Sequence, residues 1–205
     1  MSDRSRDILR HIIEEFDNLS YISPEDIPDL DLYMDQITTF MDSRLSSCKR
    51  HPEDKILTKT MINNYTKSKL IPPPAKKKYS KDHLLLLIFV YYLKDFLQIS
   101  DIRTLLSPLI DMTREDPGDE DITLSDIYDS VFRLVKSQTG YMTKDLLRRW
   151  HMAEEAFGEE AKGKEGDPSA QYLQVFAFIC LLSFDVYVKK NLIESIVDEL
   201  EKMRK

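Results

Sequence analysis

The sequence predicts an all-α fold: a helix-turn-helix unit followed by a helical bundle. Three observations predict it. Only 5 of 205 residues are glycine, and apolar residues recur at three- and four-residue spacing, while alternating strand-like runs are few. Prolines fall mostly between these periodic stretches, where they would end helices. Positive charge is concentrated in one place. Residues 49–81 hold ten Lys/Arg against Glu53 and Asp54, a local +8 inside a total of −7, which leaves −15 on the remainder. Electrostatic fields act locally, so this basic island says more about partners than the acidic total does.

The elements follow in order. Ser2–Asp17 places Ile8, Leu9, Ile12, Ile13 and Phe16 on one helical face, with Ser2 or Asp3 as its cap, and reads as a packing or dimer-contact helix. Asn18–Asp29, with Pro24 and Pro28, reads as an irregular connection. Asp31–Leu45 is expected as the supporting helix of a helix-turn-helix, with Leu32, Ile37, Phe40, Met41 and Leu45 inward. After a polar linker, Leu57–Ser68 is expected as the recognition helix. Thr58 caps it, and Leu57, Met61, Ile62 and Tyr65 face the core. Lys59, Asn63, Asn64 and Lys67 then fall on its other faces. Asparagine carries both a donor and an acceptor for a base edge, lysine suits phosphate, and two adjacent asparagines inside a helix carry a propensity cost.

Leu70-Ile-Pro-Pro-Pro stops that helix, and Lys76, Lys77, Lys78 and Tyr79 are expected as a short, extended basic wing. Ser80 caps the next helix, and Leu84–Leu97, apolar on nearly every face, is expected at the centre of the core. A short helix over Asp101–Leu106 should end at Pro108. The acidic stretch 111–121, with Pro117-Gly118, is the expected domain boundary. The domains are therefore 1–30 (N-terminal helix and connection), 31–110 (helix-turn-helix) and 111–205 (helical domain). Within the last, helices are expected over Thr123–Ser137, Thr143–Phe157 and Ala170–Met203, with a polar loop at 158–168. The apolar stripe of the last helix runs past its first, core-like half. It needs a helix partner, supplied either within the chain or by a second subunit.

Two cysteines without a CxxC pair suit a reducing cytoplasm, and no signal peptide is visible. Neither Leu84–Leu93 nor Tyr172–Val188 reaches the roughly 20 uninterrupted apolar residues of a membrane span, so no membrane partner is expected. His11, His51, His83 and His151 lie far apart; His151 with Glu154 and Glu155 is a lone pairing, too sparse for a metal centre. Neither cysteine has a nearby general base and no phosphate-binding glycine loop occurs. No catalytic residues, cofactor or metal are expected.

Met61-Ile-Asn-Asn-Tyr65, Leu70-Ile-Pro72 and Tyr79-Ser-Lys-Asp-His-Leu84 together resemble the winged-helix DNA-binding domain of MerR-type regulators. Phe96–Ile102 is similar to that family's step into its fourth helix. The likeness spans roughly 56–107. The family's DNA-contacting arginine is Asn63 here, its turn glycine is Lys69 and its wing arginine falls at Lys77. The whole chain is similar to an uncharacterised YkrK-like family of Gram-positive bacteria, through Glu25–Gln36 and Asp54–Tyr65. These resemblances imply a bacterial, cytoplasmic transcription regulator that takes duplex DNA through Lys59, Asn63, Asn64, Lys67 and Lys76–Tyr79. The regulator would work as a homodimer through its N- or C-terminal helices, and no effector is indicated. The competing reading is a protein-interaction module on the same scaffold without DNA binding, which the net acidity and the long C-terminal half favour.

Overall fold

The computed structural model describes residues 3–17, 21–112, 122–156 and 168–204. Ser2 as a cap, residues 18–20 of the first connection, the boundary expected within 111–121 and nearly all of the polar loop at 158–168 lie outside those residues. Among the described residues the structure is mostly helical, with seven α-helices and one two-stranded sheet, so the all-α class holds. The chain forms two compact units, residues 20–134 with 193–205, and residues 1–19 with 135–192.

In the first of these units, the chain pairs β1 (Leu32–Tyr33) antiparallel with β2 (Lys78–Tyr79), Leu32 opposite Tyr79 and Tyr33 opposite Lys78. Leu32 and Tyr33 were expected to begin a helix. They are a strand instead, and α2 (Met34–Arg44) starts after them, where the Tyr33 amide donates to Gln36 Oε1 at 2.8 Å. A short helix, α3 (Lys59–Lys67), follows, and then α4 (Lys81–Leu93). Leu84 to Ile88 of α4 are five consecutive residues exposed by no more than 1%, so α4 is enclosed on every side, as an all-round apolar helix must be.

Ile22 shows how tightly the chain is gathered there. Its amide donates to the Tyr92 hydroxyl at 3.2 Å, and the Tyr128 hydroxyl donates to its carbonyl at 2.6 Å. Burial pushes both phenols well above their ordinary range. Tyr128 also packs edge-on against Phe89, with ring centroids 5.5 Å apart.

Several helix ends differ from expectation, and α4 stops at Leu93 rather than reaching Leu97. The fifth helix, α5 (Ile99–Met112), does not stop at Pro108 but carries it inside. Proline lacks an N–H, so the carbonyl four residues back, on Thr104, loses its helical donor. Arg204 takes that place at 3.1 Å while also donating to Ser107 Oγ at 2.6 Å. The pair of helices expected over 123–157 is one helix, α6 (Leu124–Ala156), running straight through Gly140. An interior glycine costs roughly 1 kcal/mol relative to alanine, too little to break 33 helical residues. Thr123 caps it, in reciprocal bonds with Asp126.

The second unit gathers parts of α1 (Asp3–Asp17), α6 and α7 (Pro168–Met203) around Trp150, which is fully buried, with Leu9, Ala153 and Phe178. Ile8, Ile12 and Ile13 pack against this cluster, so α1 is a packing helix, as its stripe predicts. Arg149 is held by Asp145 and Asp185 and donates to the Leu181 carbonyl at 3.3 Å. Pro168 opens α7 at the first helical position, where its missing N–H costs nothing.

Tyr128→Phe removes the only donor that Ile22 O has among the described residues, in a buried setting. It should lower unfolding free energy by about 1–3 kcal/mol with no change in the urea m-value. Urea denaturation followed by circular dichroism measures both.

Candidate nucleic-acid interface

The basic island folds as a helix, a tight exit and a hairpin tip. Thr58 Oγ1 accepts from the Met61 amide at 3.1 Å and starts α3. Ile62 and Tyr65 point into the core. At 100° per residue, Lys59, Asn63, Lys67 and Asn64 fall within one arc of the opposite side, and all four are exposed. Neither asparagine amide is hydrogen-bonded to a described residue. Lys59 pairs with Asp35, but both are largely exposed, and such a pair contributes about 0–1 kcal/mol.

The exit from α3 is a Schellman turn. The Leu70 amide donates to Tyr65 O at 2.8 Å and the Lys69 amide to Thr66 O at 3.0 Å, with Lys69 left-handed at φ 58°. Leu70 and Ile71 then drop into the core. Three prolines follow, and the chain reverses at Ala75–Lys78. The Lys78 amide donates to Ala75 O at 2.9 Å, and Lys76 and Lys77 are both left-handed, with φ 51° and 65°. This is the pattern of a type I′ hairpin turn, whose central positions usually hold asparagine and glycine. The expected extended wing is therefore corrected: only Lys78 and Tyr79 are extended, as β2, and Lys76 and Lys77 form the tip.

The structure separates the expected site residues into two sets. Lys59, Asn63, Asn64, Lys67, Lys76 and Lys77 are all exposed. Lys78 is half-buried, its ammonium 5.5 Å above the Tyr33 ring, a cation–π contact that occupies it. Tyr79 does not reach the surface at all. It is 3% exposed, and its ring sits edge-on to His83 at 5.6 Å, so it anchors β2 and is not a surface contact. Lys69, noted in the sequence only where the resemblance has glycine, is exposed beside these cations. A cue lay in the apolar Leu70 and Ile71 that follow it, because a Schellman turn places its left-handed residue just before a buried apolar one. Lys67, Lys69, Lys76 and Lys77 have no carboxylate partner among the described residues.

His83 braces the base of the tip. Its Nδ1 faces both the Ser80 amide at 3.2 Å and the Ser80 hydroxyl at 2.8 Å, which sets the imidazole as acceptor from that amide at the start of α4. Burial lowers its pKa, outweighing the opposite pull of the Pro73 carbonyl and of Asp82 and Asp31. Elsewhere, His151 Nδ1 is 3.6 Å from Glu154, an ordinary helical pair on the surface. An open cleft of about 500 Å³ lies against α2, lined by Thr38, Asp42, Lys49, Lys55 and Leu57. Its mixed polar lining offers no apolar enclosure for an effector.

Residues 22–131 match the model of a family described as a domain of unknown function, DUF1836. That range covers more than half of the chain and contains the whole island. No curated protein and no solved structure matches the chain.

A lowered histidine pKa means that the unfolded chain takes up the proton first as pH falls. The neutral His83 cap therefore contributes its full stability above the unfolded value near 6.5 and loses it on acidification through the folded value. Wild-type Tm should fall more steeply from pH 7.5 to pH 5 than that of His83→Gln, which keeps a hydrogen-bonding side chain but cannot titrate. Differential scanning fluorimetry across that range makes the comparison.

Proposed function

We propose that this chain, which belongs to the DUF1836 family, binds double-stranded DNA as a transcription regulator. In this reading α3 enters the major groove and the Lys76–Lys77 tip lies along the adjacent phosphates, as in a MerR-like winged helix-turn-helix of a bacterial cytoplasmic protein. Asn63 and Asn64 meet base edges, where asparagine pairs best with adenine. Lys67, Lys69, Lys76 and Lys77 neutralise phosphates, and Lys59 joins them by leaving its weak pair with Asp35. Lys78 and Tyr79 hold the tip in place. The reading uses no cofactor, metal or catalytic group.

One observation carries it. Among the described residues, the three non-glycine positions with positive φ are Lys69, Lys76 and Lys77, all inside the basic island. A left-handed lysine costs roughly 1–2 kcal/mol where glycine would cost little. Strain that accumulates on charged, exposed residues at one place points to a function for their charge. The second reading, a protein-interaction module without DNA binding, draws support from the acidic remainder of the chain and from bare apolar side chains on α7.

Replacing Lys76-Lys77 by Asn-Gly separates the two. The new pair suits the type I′ turn, so the fold should gain on the order of 1 kcal/mol, while two phosphate contacts disappear. Wild type should bind genomic fragments with steep salt dependence. The variant should bind more weakly, by about tenfold or more near 0.1 M salt, with a slope of log K against log salt smaller by about 2. Fluorescence anisotropy at several salt concentrations reads this. Unchanged affinity and slope in the more stable variant would remove the DNA reading.

A further inference from the structure

The helix α7 has two apolar sides over residues 172–188. One side faces inward: Phe178 is 3% exposed and sits edge-on to Trp150, and Leu181 and Leu182 pack against the same cluster. The other side is bare. Tyr172 is 67% exposed, Phe176 51%, Ile179 54%, Phe184 68% and Tyr187 63%. No charged residue occurs from Tyr172 to Phe184. An α-helix that is apolar all round is ordinarily enclosed all round.

We propose that this outer face is covered by the same face of a second copy of the chain, running antiparallel, with the two-fold axis passing near Ile179 and Cys180. The inference does not depend on DNA binding. Two features select a second copy. The first is area. Aromatic side chains span about 150–250 Å² each, so the four at these exposures present on the order of 500 Å². Ile179, Val186 and Val188 bring the face toward the ~800 Å² per partner of a stable association, beyond what most monomers leave open.

The second feature is that the face reads alike in both directions. Tyr172 and Phe176 stand at one end, Phe184 and Tyr187 at the other, and Ile179, Cys180 and Ser183 lie between. Turned end for end about Ile179–Cys180, aromatics meet aromatics and the smaller middle meets itself. Self-complementarity of this kind is what an isologous two-fold contact requires. The rings already associate within the chain, Tyr172 with Phe176 at 6.2 Å and Phe184 with Tyr187 at 6.4 Å, so each end offers a preformed aromatic pair.

Gln171–Met203 also has the length and composition of a membrane-crossing helix. Two facts favour the protein partner. The inner side of the same helix is committed to Trp150, and Asp185 on it is paired with both Arg149 and Lys189. A carboxylate with two cationic partners is costly to carry into hydrocarbon.

Light scattering coupled to size exclusion, on the full chain, tests the proposal. Wild type should be a dimer at about 10–100 µM, a range that lies above a dissociation constant of about 1 µM. Phe184→Glu/Tyr187→Glu, two exposed positions, should be monomeric with unchanged helical circular dichroism. In a Cys48→Ser background, a short thiol–thiol cross-linker should join two chains through Cys180, which is exposed. Should the double variant not fold, the Cys180 cross-link and the wild-type mass decide alone. A monomeric wild type, a dimer in which Cys180 does not cross-link, a dimer that survives the double change, or a monomer that floats with phosphatidylcholine/phosphatidylglycerol vesicles would each overturn it.

Discussion

The enclosure of α4 is the constraint on which the candidate interface depends. Leu84 to Ile88 leave no side of the helix free for water, so every neighbouring segment must supply apolar cover. The island supplies it at three points. Ile62 and Tyr65 do so from α3, Leu70 and Ile71 from the exit of α3, and Tyr79 from β2. Between Ile71 and Tyr79 lie seven residues without a buried side chain. With both ends of that loop fixed in the core and three prolines stiffening its first half, its middle has to project outward. The exposure of Lys76 and Lys77 is thus a by-product of what surrounds them.

Charge and strain coincide on that projection. The remainder of the chain is acidic, yet several acids near the island are already engaged. Asp35 pairs with Lys59, Asp42 with Lys49 at 2.7 Å, and Asp26 with Arg44 at 3.1 Å. Among the described residues of the island, Lys67, Lys69, Lys76 and Lys77, at the exit of α3 and the hairpin tip, remain without such partners, as do the exposed Arg50 and Lys55. Surface pairs of this kind add little stability, but they set where uncompensated positive potential persists.

Much of the fold was legible in the sequence because helices announce themselves through periodicity. The inward residues of α1, α3 and α4, the Thr58 and Ser80 caps and the length of α7 were all readable. What was not readable came from distant parts of the chain. Leu32 and Tyr33 look like the first turn of a helix, and only the arrival of Lys78 and Tyr79 beside them makes a strand. Pro108 looks like a stop, and Arg204 and Ser107 supply the donors that Thr104 O then lacks. Lys76-Lys77-Lys78 carries none of the Asn or Gly that signals a type I′ turn, so the tip was hidden by its own composition. Tyr79 had the residue type of a contact, but its burial follows from the His83 ring opposite it. The candidate surface was legible as charge; its shape was not.

The chain path through the first unit has a practical consequence. Its core holds Val197, 4% exposed, and its α5 carbonyl at Thr104 is filled by Arg204, although both residues lie far beyond the segment 22–131 that the family shares. A fragment cut to that segment would open a hole where Val197 sits and strip the Arg204 donor from Thr104 O, while ending part-way along α6. Excising the island for separate study therefore requires the tail to be grafted back, for instance by a linker that rejoins residue 134 to residue 193.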